Sequence, residues 1–335
     1  MKAFVIDRYG KQEIGRIAEV AEPALRDDDV LVAIHAASVN VLDLKIRRGE
    51  FKLLLPYSLP LALGHDLAGI VVKVGARVAR FKPGDAVYAR PDDGRIGTFA
   101  EMIAVRETSL AHKPAALTME EAASMPLVAL TAWQALVETA KLQKGQKVFI
   151  QAGSGGVGVM AIQLANYLGA FVATTTSTAN MGWVKSLGAD LVIDYTQQDA
   201  TDVLRDYDLV LNSLGTDALR KSLGVLKQGG RLVSISGPPT LAFARERGLS
   251  WPLQQVMRGL SFGVRARARK LGVTYDFLLM HADGSELESI AALVASGAVK
   301  PVIDRVFPLD KTADALAYVA TGRARGKVVI QIKQG

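Results

Sequence analysis

The chain has 335 residues, enough for two domains, and half of them are apolar, ample for a packed core. It contains no cysteine, which excludes disulfides and thiolate–metal centres. The net charge is +7, no apolar run reaches the ~18 residues of a membrane span, and MKAFVIDRYG reads as a strand entering a turn rather than a signal peptide. A soluble, cytoplasmic protein is expected.

In chain order, the first 110 residues are β-rich. Residues 30–38, 67–74 and 98–105 read as strands, with turn signals at Gly75 and Lys82-Pro83-Gly84-Asp85. Residues 41–48 read as a short helix closed by Gly49. Thr118-Met119-Glu120-Glu121 is a capping box opening a helix toward Met125. Pro126 interrupts that helix, and a second helical pattern covers about 129–141. From Lys147 strands and helices alternate. Strands are predicted at 147–151, 171–175, 191–194, 207–212 and 231–236, and 274–280 is a candidate sixth. Helices are predicted from the glycine run to near Leu168, then at 180–187 and 217–226, with a turn at Lys227-Gln228-Gly229-Gly230. Consecutive apolar strands joined by helices imply a doubly wound parallel sheet covered on both faces. The tail reads as helices at 285–296 and 311–321 and a strand at 327–332, which is expected to return to the β-rich part. The class is therefore α/β.

The most informative stretch is KVFIQAGSGGVG, residues 147–158. A glycine-rich turn between a buried strand and a helix lets bare backbone N–H groups approach a pyrophosphate at the positive end of the helix. A dinucleotide site follows. NAD sites place an acid at the end of the second strand to accept from the ribose 2′-hydroxyl, yet no acidic residue stands between Ala152 and Ala189. The strand runs instead into Thr174-Thr175-Thr176-Ser177-Thr178-Ala179-Asn180, whose hydroxyls and amide could donate to a 2′-phosphate. NADPH is favoured over NADH, with Lys185 the only nearby cation. The basic cluster Arg265, Arg267, Arg269 and Lys270 lacks interleaved aromatics and reads as a solvated face or subunit rim, so nucleic acid is not expected as partner, and the lack of a spanning apolar run leaves no membrane expected.

The spaced motifs Ala37-Ser38-Val39-Asn40-Val41-Leu42-Asp43-Leu44-Lys45, Gly64-His65-Asp66-Leu67-Ala68-Gly69, Phe81-Lys82-Pro83-Gly84-Asp85, Pro126-Leu127-Val128-Ala129-Leu130-Thr131-Ala132, 152–158 and Gly326-Lys327-Val328-Val329-Ile330 occur in one order along nearly the whole chain. Together they resemble the medium-chain dehydrogenase/reductase superfamily, in its zinc-free quinone oxidoreductase and enone (alkenal) reductase branch. The resemblance implies a Rossmann domain at 123–282, and a GroES-like β-rich catalytic domain at 1–122 completed by 283–335. It also implies an active site in the cleft and a homodimer. Zinc-dependent members use three protein ligands, and here Asn40 and Leu127 stand at two of those positions, so no metal is expected. His65 is expected as a hydrogen-bonded structural residue.

The resemblance further assigns roles. Lys45 would hydrogen-bond a substrate carbonyl oxygen, with Asn40 and Asp43 orienting its loop, although helix capping also accounts for these two. Gly155, Gly156 and Val157 would meet the pyrophosphate, and Ser177, Thr178 and Asn180 would border the 2′-phosphate. Tyr195 would pack near the adenosine phosphate, Thr131 behind the nicotinamide ribose, and Leu214, Ser236 and Gly237 along the cofactor edge of the sheet. Lys327 would reach the cofactor or, equally, face water, while Phe51, Tyr57 and Trp251 are pocket walls or ordinary core. The implied activity is NADPH-dependent hydride transfer to a quinone or to the C=C bond of an α,β-unsaturated carbonyl. The alternatives are a zinc-free carbonyl reductase and a non-catalytic NADPH-sensing or RNA-binding relative.

Overall fold

The computed structural model describes residues 1–11 and 15–333. The chain forms two compact units, Met1–Leu130 with His281–Gly335, and Thr131–Met280.

The first unit is organised by one long strand, Asp29–Val39. It pairs antiparallel with Asp66–Val74, Met102–Arg106 and the C-terminal strand Lys327–Gln331, which in turn runs parallel to Ile303–Pro308. Alternation along the strand feeds two cores. Val30, Val32 and Ile34 pack with Leu67, Val87 and Ile103, whereas Ala37 and Val39 pack with Phe4, Leu44, Leu316 and Val328. A smaller sheet orders Arg16–Glu19, Lys2–Ile6 and Leu61–Ala62. The helix Val41–Arg47 starts directly after the long strand and ends before Gly49 at φ 77°, a conformation glycine adopts without cost. The strand expected at 98–105 is shorter, Met102–Arg106. Its first residues instead bridge segments: Phe99 N donates to Leu63 O at 2.9 Å and Phe99 O accepts from Phe4 N at 2.8 Å.

In the second unit a six-stranded, fully parallel sheet has the order Leu191–Asp194, Phe171–Thr176, Lys147–Ile150, Tyr207–Asn212, Leu226–Ser234, Thr274–Phe277. In sequence order that is third, second, first, fourth, fifth, sixth, the doubly wound Rossmann arrangement. The order reverses at Lys147–Ile150, so the glycine run that follows it lies at the topological switch point. Three departures from the sequence reading have physical causes. The helix opened at Thr118 does end ahead of Pro126, at Ala123, but the next one starts at Pro126 itself rather than near Ala129, since a first-turn residue needs no N–H partner. The turn at 227–230 is absorbed into the strand Leu226–Ser234, where the pairing register shifts and Gly229 takes φ 78°. Helices Leu241–Glu246, Trp251–Leu260 and Phe262–Lys270 were not anticipated, because their buried sides are narrow: only Met257 of the second helix is buried, and Val264 and Ala268 of the third.

Asp29 opens the long strand, and Arg95 grips its carboxylate with both terminal nitrogens at 2.6 Å. This hydrogen-bonded guanidinium, aided by Arg26 N, holds the carboxyl below its ordinary value of 3.8. A lowered folded value stabilises the protein above the unfolded pKa, and that contribution is lost as pH falls through the folded one. Arg95→Ala is expected to cost about 1–3 kcal/mol in urea unfolding near neutral pH, with the deficit shrinking at about pH 3. An equal deficit at both pH values would refute this account.

Candidate active site

A buried polar cluster forms where the long strand of the first unit meets its helix. Asn40, the helix N-cap, donates its backbone N–H to Asp43 Oδ2 at 2.7 Å. The other Asp43 oxygen lies 2.6 Å from His65 Nδ1, and both side chains are fully buried. His65 Nε2 has no hydrogen-bond partner. Beside this pair, Asp66 Oδ2 accepts from Ser38 Oγ at 2.7 Å, Asn40 Nδ2 at 2.8 Å and Lys327 Nζ at 3.1 Å. Asp66 Oδ1 accepts from Leu127 N at 2.7 Å. Lys327 Nζ also donates to Asn40 Oδ1 at 2.5 Å and Val39 O at 3.1 Å. Lys45 is half-buried on the same helix as Asp43, and among the described residues its ammonium makes no hydrogen bond or ion pair. Phe51 and Tyr57 pack against the core around Phe4 and Leu44, and the Tyr57 hydroxyl donates to Asp93 O at 2.6 Å. Burial, with Asp93 nearby, pushes that phenol up.

The second unit holds the glycine loop. Ala152 takes φ 52°, and its N–H donates to Thr175 Oγ1 at 3.2 Å, while Gly153 N donates to Thr175 O at 2.9 Å. Gly155 caps the helix Gly156–Tyr167, whose first turn offers N–H groups unpaired within the helix. A Cβ on Gly158 would sit 2.3 Å from Ala152 O, so the helix can approach the loop this closely only with glycine there. Behind the loop, Gln151, Asn212 and Ser234 chain together: Asn212 Nδ2 donates to Gln151 Oε1 at 2.6 Å, and Ser234 Oγ donates to Asn212 Oδ1 at 2.6 Å. These buried amides fix the ends of the first, fourth and fifth strands relative to one another. Ser236 Oγ reaches Leu214 O at 2.5 Å, and Gly237 N donates to Ser234 Oγ at 2.8 Å, so Leu214, Ser236 and Gly237 form one edge.

At the end of the second strand, Asn180 Nδ2 donates to Ser177 Oγ at 3.3 Å. The Thr178 hydroxyl donates to Asp194, and Asp194 also accepts from Thr196 N at 2.9 Å and Thr196 Oγ1 at 2.7 Å. These hydrogen bonds, the Thr178 hydroxyl first, lower the Asp194 pKa. An acid from the third strand thus borders the polar loop, although no acid lies in the second strand or the loop itself. Tyr195 is exposed beside it, and Thr131 is buried.

A family model described as alcohol dehydrogenase GroES-like domain matches residues 26–115, and one described as zinc-binding dehydrogenase matches residues 187–330. The chain is 35% identical to a mouse protein named NAD(P)H oxidoreductase RTN4IP1, mitochondrial, over 99% of this chain and 89% of the relative. It is 34% identical to the NADPH-dependent alkenal/one oxidoreductase, chloroplastic, of Arabidopsis thaliana, covering 98% and 79%. The solved quinone oxidoreductase of Coxiella burnetii superposes with a TM-score of 0.87 at 30% identity, covering 99% of both chains. The chain belongs to the medium-chain dehydrogenase/reductase family, in its quinone oxidoreductase and enone reductase branch.

Membership in a family with zinc-dependent branches makes the donor set worth testing. A catalytic zinc needs three protein ligands and an open position. Here His65 is the one nitrogen donor in the cluster, and the Asn40 amide oxygen is taken by the Lys327 ammonium. Leu127 contributes only a backbone N–H, and Asp66 is saturated by four donors. A dication would have to share this space with an ammonium ion. The residues do not fit zinc.

Of the two readings given for Asn40 and Asp43, the structure shows helix capping, with Asn40 as N-cap and its backbone N–H held by Asp43. The roles of Ser38, Asp66 and Lys327 in the cluster, and those of Gln151, Asn212 and Asp194 in the Rossmann unit, were missed. For Asp66 a signal existed, since it stands beside His65 in a recognised motif. Because Lys327 and Asp66 form a buried pair, Lys327→Met would leave the carboxylate one donor short. Urea unfolding should show a loss of about 3–5 kcal/mol. A loss below about 1 kcal/mol would show that the pair does not hold the C-terminal strand in place.

Proposed function

We propose that the chain is an NADPH-dependent, zinc-independent reductase of quinones or of the C=C bond of α,β-unsaturated carbonyl compounds. The observation that carries this reading is the pairing, in one family member, of a complete glycine loop at the Rossmann switch point with a polar cluster that does not fit a metal. The names of its relatives, an NADPH-dependent alkenal/one oxidoreductase and a quinone oxidoreductase, support the same chemistry.

Bound NADPH would supply the hydride. The protein's share is positioning and electrostatics. Gly155, Gly156 and Val157 would present N–H groups to the pyrophosphate, and the edge formed by Leu214, Ser236 and Gly237 would border the nicotinamide half. Lys45, half-buried and without a carboxylate partner among the described residues, would hydrogen-bond the substrate oxygen and oppose the negative charge that develops there. A free ammonium suits this task because no internal ion pair has to break first. Asn40, Asp43 and Lys327 would act by fixing the strand-to-helix corner from which Lys45 projects.

NADPH oxidation by the purified protein, with a quinone, a linear enone, an alkenal and a saturated ketone in parallel, tests the proposal. Turnover confined to the conjugated acceptors is expected, with kcat reduced by about a hundredfold in Lys45→Ala. Reduction of the saturated ketone to an alcohol would favour a carbonyl reductase instead, and no turnover at all would sink the proposal.

The polar loop makes a second outcome specific. The Thr178 hydroxyl is spent on Asp194 and cannot donate to a phosphate at the same time, and Asp194 adds a nearby negative charge. Asp194→Asn is therefore expected to raise the preference for NADPH over NADH by about fivefold, the effect of one weakly screened charge. Comparison of Kd for the two cofactors measures it, and an unchanged ratio would place the 2′-phosphate away from this loop.

A further inference from the structure

Helices Trp251–Leu260 and Phe262–Lys270 join at Ser261, which is buried and whose hydroxyl donates to Met257 O at 2.9 Å. Their inward contacts are slight, and their outward faces are unusual for a water-facing surface. Trp251, Val256, Leu260 and Phe262 are exposed by 71%, 51%, 60% and 64%. Val256 and Leu260 lie one helical turn apart, and Leu260 and Phe262 flank the Ser261 corner. Single exposed apolar residues need no explanation, but four large ones on two consecutive helices do.

The charge around them is one-sided. Between Glu246 and Asp276 the sequence holds no acidic residue and six cations, Arg247, Arg258, Arg265, Arg267, Arg269 and Lys270. Arg258, Arg267, Arg269 and Lys270 are exposed, and among the described residues none of these four forms an ion pair. The short helix Phe262–Lys270 buries Val264 and Ala268, which leaves Phe262, Arg267, Arg269 and Lys270 on the outward side.

We propose that this face is a peripheral docking surface for membranes rich in anionic phospholipid. Leu260, Phe262 and Val256 enter the boundary between headgroups and acyl chains, and the arginines and Lys270 lie against the phosphates. The binding is superficial, since no helix among the described residues is long and apolar enough to cross a membrane. Other occupants fit less well. A second copy packed face to face about a two-fold axis would set this acid-free cationic surface against itself. A nucleic acid would satisfy the cations and find stacking surfaces on Trp251 and Phe262, but it would leave the aliphatic Val256 and Leu260 against a polyanion with nothing apolar to cover them. The inference is independent of the reductase reading.

Flotation with vesicles tests it. The whole protein is mixed with vesicles of phosphatidylcholine alone, or containing about one-third phosphatidylglycerol, at low and high salt. Wild type is expected to float only with the anionic vesicles, and less as salt rises. Arg267→Gln/Arg269→Gln/Lys270→Gln should weaken binding on the order of a hundredfold, about fivefold for each cation removed. Leu260→Asp/Phe262→Asp should abolish it while leaving the thermal unfolding midpoint unchanged, because both side chains are exposed. Failure of wild type to float, equal binding to neutral vesicles, or full binding by either variant overturns the proposal. Retention of wild type on single-stranded RNA without flotation would assign the face to nucleic acid. A dimer by light scattering that Leu260→Asp/Phe262→Asp dissociates, again without flotation, would assign it to a second copy.

Discussion

The first unit depends on one carboxylate. Asp66 gathers hydrogen bonds from Ser38, Asn40, Lys327 and the backbone of Leu127, groups that approach it from three separate stretches of chain. A buried carboxylate is tolerable only when its lone pairs are satisfied, and this one has a full complement including a cation. The requirement propagates outward. Lys327 can reach Asp66 only because the strand Lys327–Gln331 pairs with Asp29–Val39, placing Val328 opposite Val39. The return of the C-terminal segment to the N-terminal β sheet is thus fixed by ladder hydrogen bonds and closed by an ion pair.

The second unit rests on a different constraint, the closeness of backbone to backbone. Strand, loop and helix around residues 150–158 are packed so tightly that Gly158 has no room for a Cβ. Threonines do the holding: Thr174 Oγ1 donates to Ile150 O at 2.6 Å, and Thr175 binds the N–H groups of Ala152 and Gly153 through its side chain and carbonyl. The threonine run of the second strand therefore serves first as scaffold for the loop. The residues past the strand end, Ser177 to Asn180, take no part in that scaffold.

What could be read in the sequence follows from the distance over which each feature is determined. The glycine loop was legible because strand, turn and helix lie within a dozen residues and the sterics are local. The parallel sheet was legible from consecutive apolar strands, and the tail's return from its position after the last strand. The Asp66–Lys327 pair joins residues 261 apart, and nothing in local pattern selects one lysine from many. The Asp194 contact was hidden in another way. A scan for acids along the second strand is sound for that strand, but parallel pairing sets Asp194 level with Thr176 on the neighbouring one. Helices between residues 241 and 270 escaped for different reasons: Leu253, Val256, Met257 and Leu260 keep a helical spacing although only Met257 of them is buried, whereas Phe262–Lys270 has too few apolar residues to show a period.

The cluster also explains why Lys45 rather than Lys327 is the cation to expect at a substrate. Lys327 is fixed by three oxygens, from Val39, Asn40 and Asp66, and moving it would strand a buried carboxylate. Lys45 sits two residues beyond Asp43 on a seven-residue helix whose N-terminus is anchored through Asn40 and Asp43, so its backbone is held while its ammonium has no partner among the described residues. A preorganised donor needs this combination, since a fixed base limits the entropy lost on contact and an unpaired charge leaves the full electrostatic effect available. In a site that does not fit zinc, rigidity and charge are thus divided between two lysines: Lys327 satisfies the scaffold, while Lys45, unpaired among the described residues, suits the contact with a substrate oxygen proposed for it.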